Sequence, residues 1–233
     1  MKNYIKNARL WILQAEQNSE LWLQEKAGVL SGSSSTFKTK KDGQLTADAK
    51  KLVTLKASER LLGKINKISA QVLDYGHEKE PLAIRKYELR TGYKVTHLGF
   101  ARLADNIWIG DSPDGLVNYD EETGEAEIVV EVKAHVSPYE FGNVVINEHP
   151  DYDKYLEQIL HHFIVFNAKE VHHVSFAENG SNDLIIFISV LKREDFEEQI
   201  NEHFEQCKYA VIEIDETLIR LKENLKNNLN LFF

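Results

Sequence analysis

The sequence predicts a single α/β domain in which a central mixed β-sheet is flanked by helices. Apolar and alternating runs of strand length at 127–133, 169–178 and 184–191 predict the sheet, and the last of these is apolar enough for an internal strand. Helical spacing of apolar residues at 152–166 and along the charged segment 193–229 predicts covering helices. A chain of 233 residues is long enough to bury one substantial core.

Composition narrows the class of protein further. No apolar run approaches the length of a membrane span, and the first residues lack the tripartite form of a signal peptide, so a cytoplasmic location is expected. The single cysteine, Cys207, excludes an internal disulfide and a four-cysteine iron–sulfur cluster. Its neighbours indicate a helix, so we interpret it as a packed thiol.

Charge is unevenly distributed along the chain. The formal net charge is −9, yet residues 26–67 hold ten Lys or Arg against three acidic residues. A basic segment on an acidic body is typical of a phosphate-binding track beside a carboxylate-rich metal site. A solvated amphipathic helix is the alternative explanation.

The first third of the chain predicts helices around a glycine- and serine-rich break. Helical patterns cover part of 3–24 and the segment 46–73, which forms one helix or a pair. Between them, the small and hydroxyl residues of 28–35 could bring backbone N–H groups close to a phosphate. This loop lacks the Gly-Lys-Ser/Thr ending of a P-loop, so we do not expect a nucleotide triphosphate site. An ordinary flexible loop is the alternative.

A further helix is expected to begin near Pro81, because proline suits the first helical turn and Gly76 interrupts the preceding pattern. Glu80 then lies at the helix start. It is either a solvent-exposed partner of the helix dipole or an inward-facing ligand, and its position alone does not decide. Residues 93–101 and 106–109 read as strands that lead into the next turn.

The stretch from Asp111 to Lys133 carries the most informative chemistry. A Ser112-Pro113-Asp114-Gly115 turn precedes the strand that ends Glu131-Val132-Lys133. Strand geometry places Glu131 and Lys133 on one face, with an apolar core face opposite. Asp114 and Glu131 could hold a hard divalent cation such as Mg²⁺, and Lys133 could orient or deprotonate a water that attacks a phosphodiester. An edge strand with a surface Glu–Lys pair is the alternative.

After a proline-bounded loop at 136–150, the helix at 152–166 presents one face that includes polar residues. This face comprises Tyr155, Gln158, Ile159, His162 and Phe166. The adjacent pairs His161-His162 and His172-His173 do not suggest zinc, because adjacent side chains diverge and no supporting pattern is present. We interpret them as core or surface histidines.

Four ordered blocks resemble the lambda exonuclease and YqaJ-type viral recombinase family, a branch of the PD-(D/E)XK nucleases with a restriction-endonuclease-like core. The blocks are Trp22-x-x-x-Lys26-x-Gly28-Val29 ending in Ser33, Gly76-x-x-x-Glu80-x-x-Ala83, Ser112-Pro113-Asp114-Gly115-Leu116 with Glu131-Val132-Lys133, and Tyr155-x-x-Gln158. They span the chain from Trp22 to about Phe166.

The resemblance implies a role for each matching residue. Asp114, Glu131 and the main-chain carbonyl of Val132 would hold metal, and Lys133 would position the attacking water. Glu80 would complete a second metal position, and Gln158 would line the site. The cofactor would be a pair of Mg²⁺ ions, for which Mn²⁺ would substitute.

The resemblance also places the 5′-phosphate of a DNA end at Lys26 and Ser33. Lambda exonuclease has arginine at the first of these positions, and lysine keeps the charge but loses bidentate geometry. Lambda exonuclease also carries an acidic residue upstream of its turn. The ungapped position falls on Ala104 here, and Asp105 and Asp111 are both possible substitutes.

The expected function is 5′-to-3′ degradation of linear double-stranded DNA during phage-type recombination, in the cytoplasm of a bacterial host. The family implies a processive homotrimer that works with a single-strand annealing protein. Another PD-(D/E)XK endonuclease and an inactive DNA-binding module are the alternatives. Within one nuclease domain, we predict a basic end-binding segment at about 1–73, a catalytic core at about 74–192 and a C-terminal helix at about 193–233.

Overall fold

The computed structural model describes residues 3–39, 44–65, 71–181 and 183–229, without the side chains at 71–74, 77 and 229. Two short 3₁₀ turns lie at Gly32–Ser34 and Arg193–Asp195. The helices are α1 (Glu20–Lys26), α2 (Ala47–Leu62), α3 (Gln71–Thr91), α4 (Pro138–Asn147), α5 (Tyr152–Phe166) and α6 (Glu197–Leu229).

Strands in the described residues form two sheets of four, each in sequence order. The first sheet is antiparallel and contains β1 (Tyr4–Lys6), β2 (Leu10–Leu13), β3 (Ala101–Leu103) and β4 (Gly110–Asp111). The second contains β5 (Gly115–Val117), β6 (Ile128–Ala134), β7 (Glu170–Glu178) and β8 (Leu184–Lys192).

The second sheet is mixed, as the sequence predicted. Strands β6 and β7 are parallel, and the two other pairings are antiparallel. Parallel neighbours need a long crossover connection, which α4 and α5 supply here. The fold class, an α/β domain with a central mixed sheet between helices, is therefore confirmed.

Both faces of strand β6 are buried. Val130 belongs to an apolar cluster with Tyr87 of α3, whereas Val129 belongs to the cluster that contains Ile159 and Phe163 of α5. The face that the sequence marked as polar is thus covered by α5, and Glu131 is only 3% exposed. The alternative of a surface Glu–Lys pair on an edge strand is wrong.

The amino-terminal region differs from its prediction in part. Helix α1 begins within the expected segment 3–24 and ends two residues beyond it, but β1 and β2 occupy the first half of that segment. Strand β1 pairs with β2, and β2 gains further stability by pairing with β3, which lies about ninety residues further along the chain. The predicted strands 93–101 and 106–109 are displaced toward the carboxyl end, as β3 and β4.

Helix α3 begins ten residues before the predicted start at Pro81 and contains both Gly76 and Pro81 in its interior. The prediction failed because packing overrides local preference: Ala83, Ile84 and Tyr87 are buried against the mixed sheet. The preceding helix α2 ends at Gly63, which adopts the left-handed conformation common after helices. The helix pair is the correct alternative for this region.

Predictions in the second half of the chain are mostly confirmed. Helix α5 has the predicted bounds, and β7 and α6 lie where expected. Two predictions were wrong: β8 lies at the edge of its sheet, not inside it, and the loop at 136–150 contains α4. Helix α4 begins at Pro138 after the capping residue Ser137, whose hydroxyl accepts from the Glu140 amide.

Parts of the predicted basic segment, at 40–43 and 66–70, lie outside the described residues. Among the residues that are described, no helix combines the length and hydrophobicity of a membrane span.

Candidate active site

Two carboxylates meet where strand β5 begins. Asp114 immediately precedes β5, and the first residue of that strand pairs with Val130, so Asp114 lies beside Glu131. The Val132 amide donates to Asp114 Oδ2 at 2.7 Å. Burial and the neighbouring charges of Glu131 and Glu80 raise the pKa of Asp114 well above its usual value. The arrangement therefore favours a bound proton or a cation at Asp114.

Lys133 follows Glu131 on the same face of β6, and its Nζ donates to Glu131 Oε1. The ammonium also lies 5.7 Å from the ring centroid of Tyr155. Burial alone would lower the pKa of Lys133, but Glu131 and Asp114 outweigh burial and raise it. The side chain is thus held as an ammonium ion, a donor to oxygen and not a free base.

Helix α5 supplies two further contacts to Glu131. Gln158 Nε2 donates to Glu131 Oε1 at 2.6 Å. One turn later, His162 Nε2 lies 3.0 Å from Glu131 Oε2, an electrostatic contact because its angle is not that of a hydrogen bond. Burial raises the pKa of Glu131, but Lys133 and His162 together lower it below its usual range. Glu131 is therefore ionised.

Asp111, at the end of β4, is the second partner of His162. The distance from His162 Nδ1 to Asp111 Oδ2 is 2.6 Å, and both side chains are buried. Burial lowers the pKa of His162, but Asp111 and Glu131 outweigh it and raise the pKa to about 10. An imidazolium ion thus bridges two buried carboxylates.

The glycine-rich loop closes over Asp111. The backbone amides of Gly32 and Ser112 donate to Asp111 Oδ1 at 3.3 and 2.9 Å. A Cβ atom at position 32 would lie 3.1 Å from Asp111 Oδ1 and 3.1 Å from Gln158 Cγ. The close approach of the Gly32–Ser34 turn to α5 therefore favours glycine at this position.

Glu80 and Lys26 lie within electrostatic range of the same carboxylates. Burial and the charge of Glu131 raise the pKa of Glu80, which is half-buried on α3. Burial lowers the pKa of Lys26 to about 8, against the opposing effect of Asp111. The Lys26 ammonium lies 4.4 Å from the Trp22 ring centroid. Ser33 is exposed on the 3₁₀ turn beside Gly32.

Direct contacts join Glu131 to Lys133 and Gln158, and the Val132 amide holds Asp114 beside them, so these four predicted residues lie together. Glu80 and Lys26 lie near them, and Ser33 lies on the adjoining turn. The main-chain carbonyl of Val132 belongs to the strand between Glu131 and Lys133, next to the amide that holds Asp114.

The sequence did not reveal the roles of Asp111 and His162. Of the two upstream acids, Asp111 is buried in the site and Asp105 is exposed outside it. His162 is a core histidine, one of the two predicted alternatives, but its contacts with two site carboxylates were not predicted. Its position four residues after Gln158, on one helix face, was the available signal.

An acidic turn, a buried Glu-x-Lys strand and a mixed sheet between helices define the PD-(D/E)XK class of fold. Three solved structures share it. LHK-Exo, an alkaline exonuclease from Laribacter hongkongensis, has a TM-score of 0.73 and 20% identity, covering 90% of this chain and 99% of its own. LHK-Exo in complex with dAMP has the same TM-score and coverage at 21% identity. A phage related exonuclease from Haemophilus somnus 129PT has a TM-score of 0.58 and 15% identity, covering 86% and 95%.

The YqaJ-like viral recombinase domain matches residues 21–169, and the chain belongs to this family. No curated protein sequence matches it.

Proposed function

We propose that this protein is a metal-dependent DNA exonuclease that degrades linear double-stranded DNA from its 5′ ends during recombination. The observation that carries the proposal is the convergence of Asp114 and Glu131 beside the ammonium of Lys133. Carboxylates that flank a lysine are suited to hold a cation and a water near a phosphodiester. The exonucleases of similar fold support the same class of substrate.

The side chains present fit a divalent cation. Asp114, Glu80 and Glu131 offer oxygen ligands, and the raised pKa values of Asp114 and Glu80 reflect carboxylates that lack sufficient positive charge nearby. Hard cations such as Mg²⁺ and Mn²⁺ prefer oxygen ligands, and the carbonyl of Val132 would add one. Two ions would stabilise the charge on the attacking and leaving oxygens of the phosphodiester.

The protein side chains divide the remaining tasks. Lys133 is held as an ammonium by Glu131 and Asp114, so it would orient the attacking water by donating a hydrogen bond and would not remove its proton. Gln158 fixes the Glu131 carboxylate through the 2.6 Å hydrogen bond to Oε1. The contacts from Lys133 and Gln158 together fix the orientation of the Glu131 carboxylate.

Recognition of the DNA end would use Lys26 and Ser33. Both belong to the segment that packs against Asp111, so a terminal phosphate there would lie close to the carboxylates. A cavity of about 1070 Å³ opens between α4 and the start of α5, beside Ala134, the residue that follows Lys133. The residues that line it include His135, Tyr139 and Tyr155. This cavity offers room for a nucleotide strand next to the site.

Processive action by a homotrimer and cooperation with a single-strand annealing protein complete the proposal. A ring that encloses duplex DNA would explain how an enzyme stays on its substrate between cleavage events. Sedimentation analysis of the full chain tests the homotrimer separately. A fully active monomer in solution would rule out the homotrimer.

The central test is digestion of linear duplex DNA labelled at either end, with and without a 5′-phosphate, in Mg²⁺, in Mn²⁺ and in EDTA. A closed circular duplex serves as the control. We expect metal-dependent release of nucleotides from the 5′ end and an intact circle. A nicked or linearised circle would instead identify an endonuclease, and binding without cleavage would identify an inactive DNA-binding module.

A further inference from the structure

A second group of potential metal ligands lies behind the carboxylate site. His161 on α5 faces His203 and Cys207 on α6, and the three side chains are 0%, 3% and 0% exposed. One ligand atom from each lies within 4.8 Å of the other two. Among the described His, Cys, Asp and Glu side chains, this is the group of three with such spacing. The reaction proposed above uses none of them.

The separations approach those of a zinc site. Cys207 Sγ lies 3.9 Å from His161 Nδ1 and 3.7 Å from His203 Nε2. Zinc binds thiolate sulfur at about 2.3 Å and imidazole nitrogen at about 2.0–2.1 Å, so ligand atoms of a tetrahedral site lie roughly 3.4–3.6 Å apart. The two sulfur–nitrogen distances are close to that spacing, and the three ligand atoms all lie within 4.8 Å of one another.

The ring orientations also suit a metal. His161 Nε2 lies 3.0 Å from the Gly110 carbonyl oxygen, so Nε2 carries the proton and the Nδ1 lone pair faces Cys207. Zinc-binding histidines commonly donate their second nitrogen to a carbonyl in this way. His203 and Cys207 lie four residues apart on one helix face, the spacing of paired zinc ligands on helices.

We propose that His161, His203 and Cys207 form a zinc site with three protein ligands that fastens α6 to α5. Zinc would displace the thiol proton of Cys207 into solvent and bind the resulting thiolate together with two neutral imidazoles. No fourth side chain of these types joins the group among the described residues, so a water molecule would complete the tetrahedron.

The protonation states of the ligands agree with this assignment. Burial lowers the pKa of His203 to about 3, so its imidazole is neutral and one ring nitrogen keeps a lone pair that would bind a cation. Burial raises the pKa of the Cys207 thiol to about 12, so only a cation would make the thiolate stable there. Zinc binding should therefore strengthen as the pH rises.

The site would also support the neighbouring active site mechanically. His161 precedes His162, and Gly110 precedes Asp111, so a zinc-bound His161 would hold the segment from which His162 reaches both carboxylates. This inference does not depend on the proposed nuclease function, and its test needs no DNA.

The first experiment uses cobalt as a spectroscopic substitute for zinc on the reduced, chelator-treated full chain. Cobalt bound to a thiolate gives a charge-transfer absorption in the near ultraviolet, and Cys207 is the only cysteine in the sequence. We expect the band to saturate at one cobalt per chain and to disappear when zinc is added. Cobalt bound only to Asp114 or Glu131 gives no such band. Absence of the band would therefore overturn the proposal.

Variants then locate the ligands. Cys207→Ser and His203→Gln should lose the cobalt band and the zinc-dependent rise in melting temperature. His172→Gln is the matched control, because His172 is a buried histidine that bonds to Tyr87 and Glu170, away from any thiol. It should retain both signals. An unchanged zinc response in Cys207→Ser would mean that the three side chains form only weak sulfur hydrogen bonds.

Discussion

His162 Nδ1 lies 2.6 Å from Asp111 Oδ2 in the protein interior, and the same ring reaches Glu131 with its second nitrogen at 3.0 Å. Glu131 thus has three positively charged or donor partners, Lys133, Gln158 and His162. A buried carboxylate needs such partners to remain ionised. His162 therefore positions the carboxylate that we propose as a metal ligand while it neutralises Asp111.

Replacement of His162 by glutamine should destabilise the protein strongly. The amide cannot bridge both carboxylates, so Asp111 would keep a buried charge without a cation, at a cost of about 3–5 kcal/mol in the free energy of unfolding. Urea denaturation without metal measures this. The control His172→Gln removes a buried histidine whose partner Glu170 is partly exposed, and it should cost less. Equal losses of unfolding free energy in both variants would show that the His162 bridge makes no special contribution to stability.

The same bridge predicts how stability depends on pH. The pKa of His162 is about 10 in the folded chain and about 6.5 in a free histidine, so the folded state binds the extra proton between these values. The stabilisation is complete below about pH 6.5 and is lost as the pH rises through about 10. Urea titrations of the metal-free protein across this range should show the decline. His162→Gln should flatten it, and a slope that persists in this variant would assign the decline to another group.

Asp114→Asn should separate stability from function. The amide oxygen can still accept from the Val132 amide, while the buried charge disappears, and with it the burial penalty and the repulsion that raise the pKa of Asp114. The melting temperature of the metal-free chain should rise, by about 2–4 °C for each kcal/mol gained. Stabilisation by Mg²⁺ and DNA cleavage should both be lost. The control Asp105→Asn, an exposed residue outside the site, should change none of these, and a lower melting temperature for Asp114→Asn would contradict the prediction.

Lys133→Ala should abolish cleavage and leave DNA binding largely intact, because Lys133 is proposed to orient the water and not to grip the duplex. Single-turnover cleavage and equilibrium binding measure the two effects separately. Lys169→Ala is the control, since the Lys169 side chain is 76% exposed and pairs only with surface Glu127. If cleavage persists in Lys133→Ala, another group must activate the water.

Lys26→Ala should remove any preference for 5′-phosphorylated ends, with little effect on ends that lack the phosphate. Lys26→Arg, in contrast, should keep the preference of the natural protein, because guanidinium binds phosphate in a bidentate manner. The exposed residue Lys51, on α2, provides the alanine control. Competition between phosphorylated and unphosphorylated duplexes gives the ratio directly. A preference that survives in Lys26→Ala would assign end recognition to other residues.

The sequence predicted the central sheet and α5 because strong periodicity and burial agree there. It missed β1 and β2 since β1 rests on β2, and β2 is held by distant pairing with β3, which no local pattern records. It misplaced the start of α3 for a related reason: packing of Tyr87 and its neighbours against the sheet outweighs the preference of proline for a helix start.

The site was predictable where residue chemistry was unusual for its context. Asp114, Glu131 and Lys133 combine a turn with charges in an apolar strand, and such charges need a compensating partner. His162 and Asp111 were not predictable because each is unremarkable alone. Their role in the site depends on a 2.6 Å contact between His162 and Asp111, which lie 51 positions apart in the sequence.

The parallel pairing of β6 with β7 has a kinetic consequence. These strands are joined only after α4 and α5 have been placed between them, and α5 carries two of the side chains that hold Glu131. Non-local pairings of this kind form slowly, because the intervening chain loses much entropy before any contact compensates. We therefore expect the carboxylates to be gathered late in folding, so that collapsed intermediates exist before any cation-binding centre does.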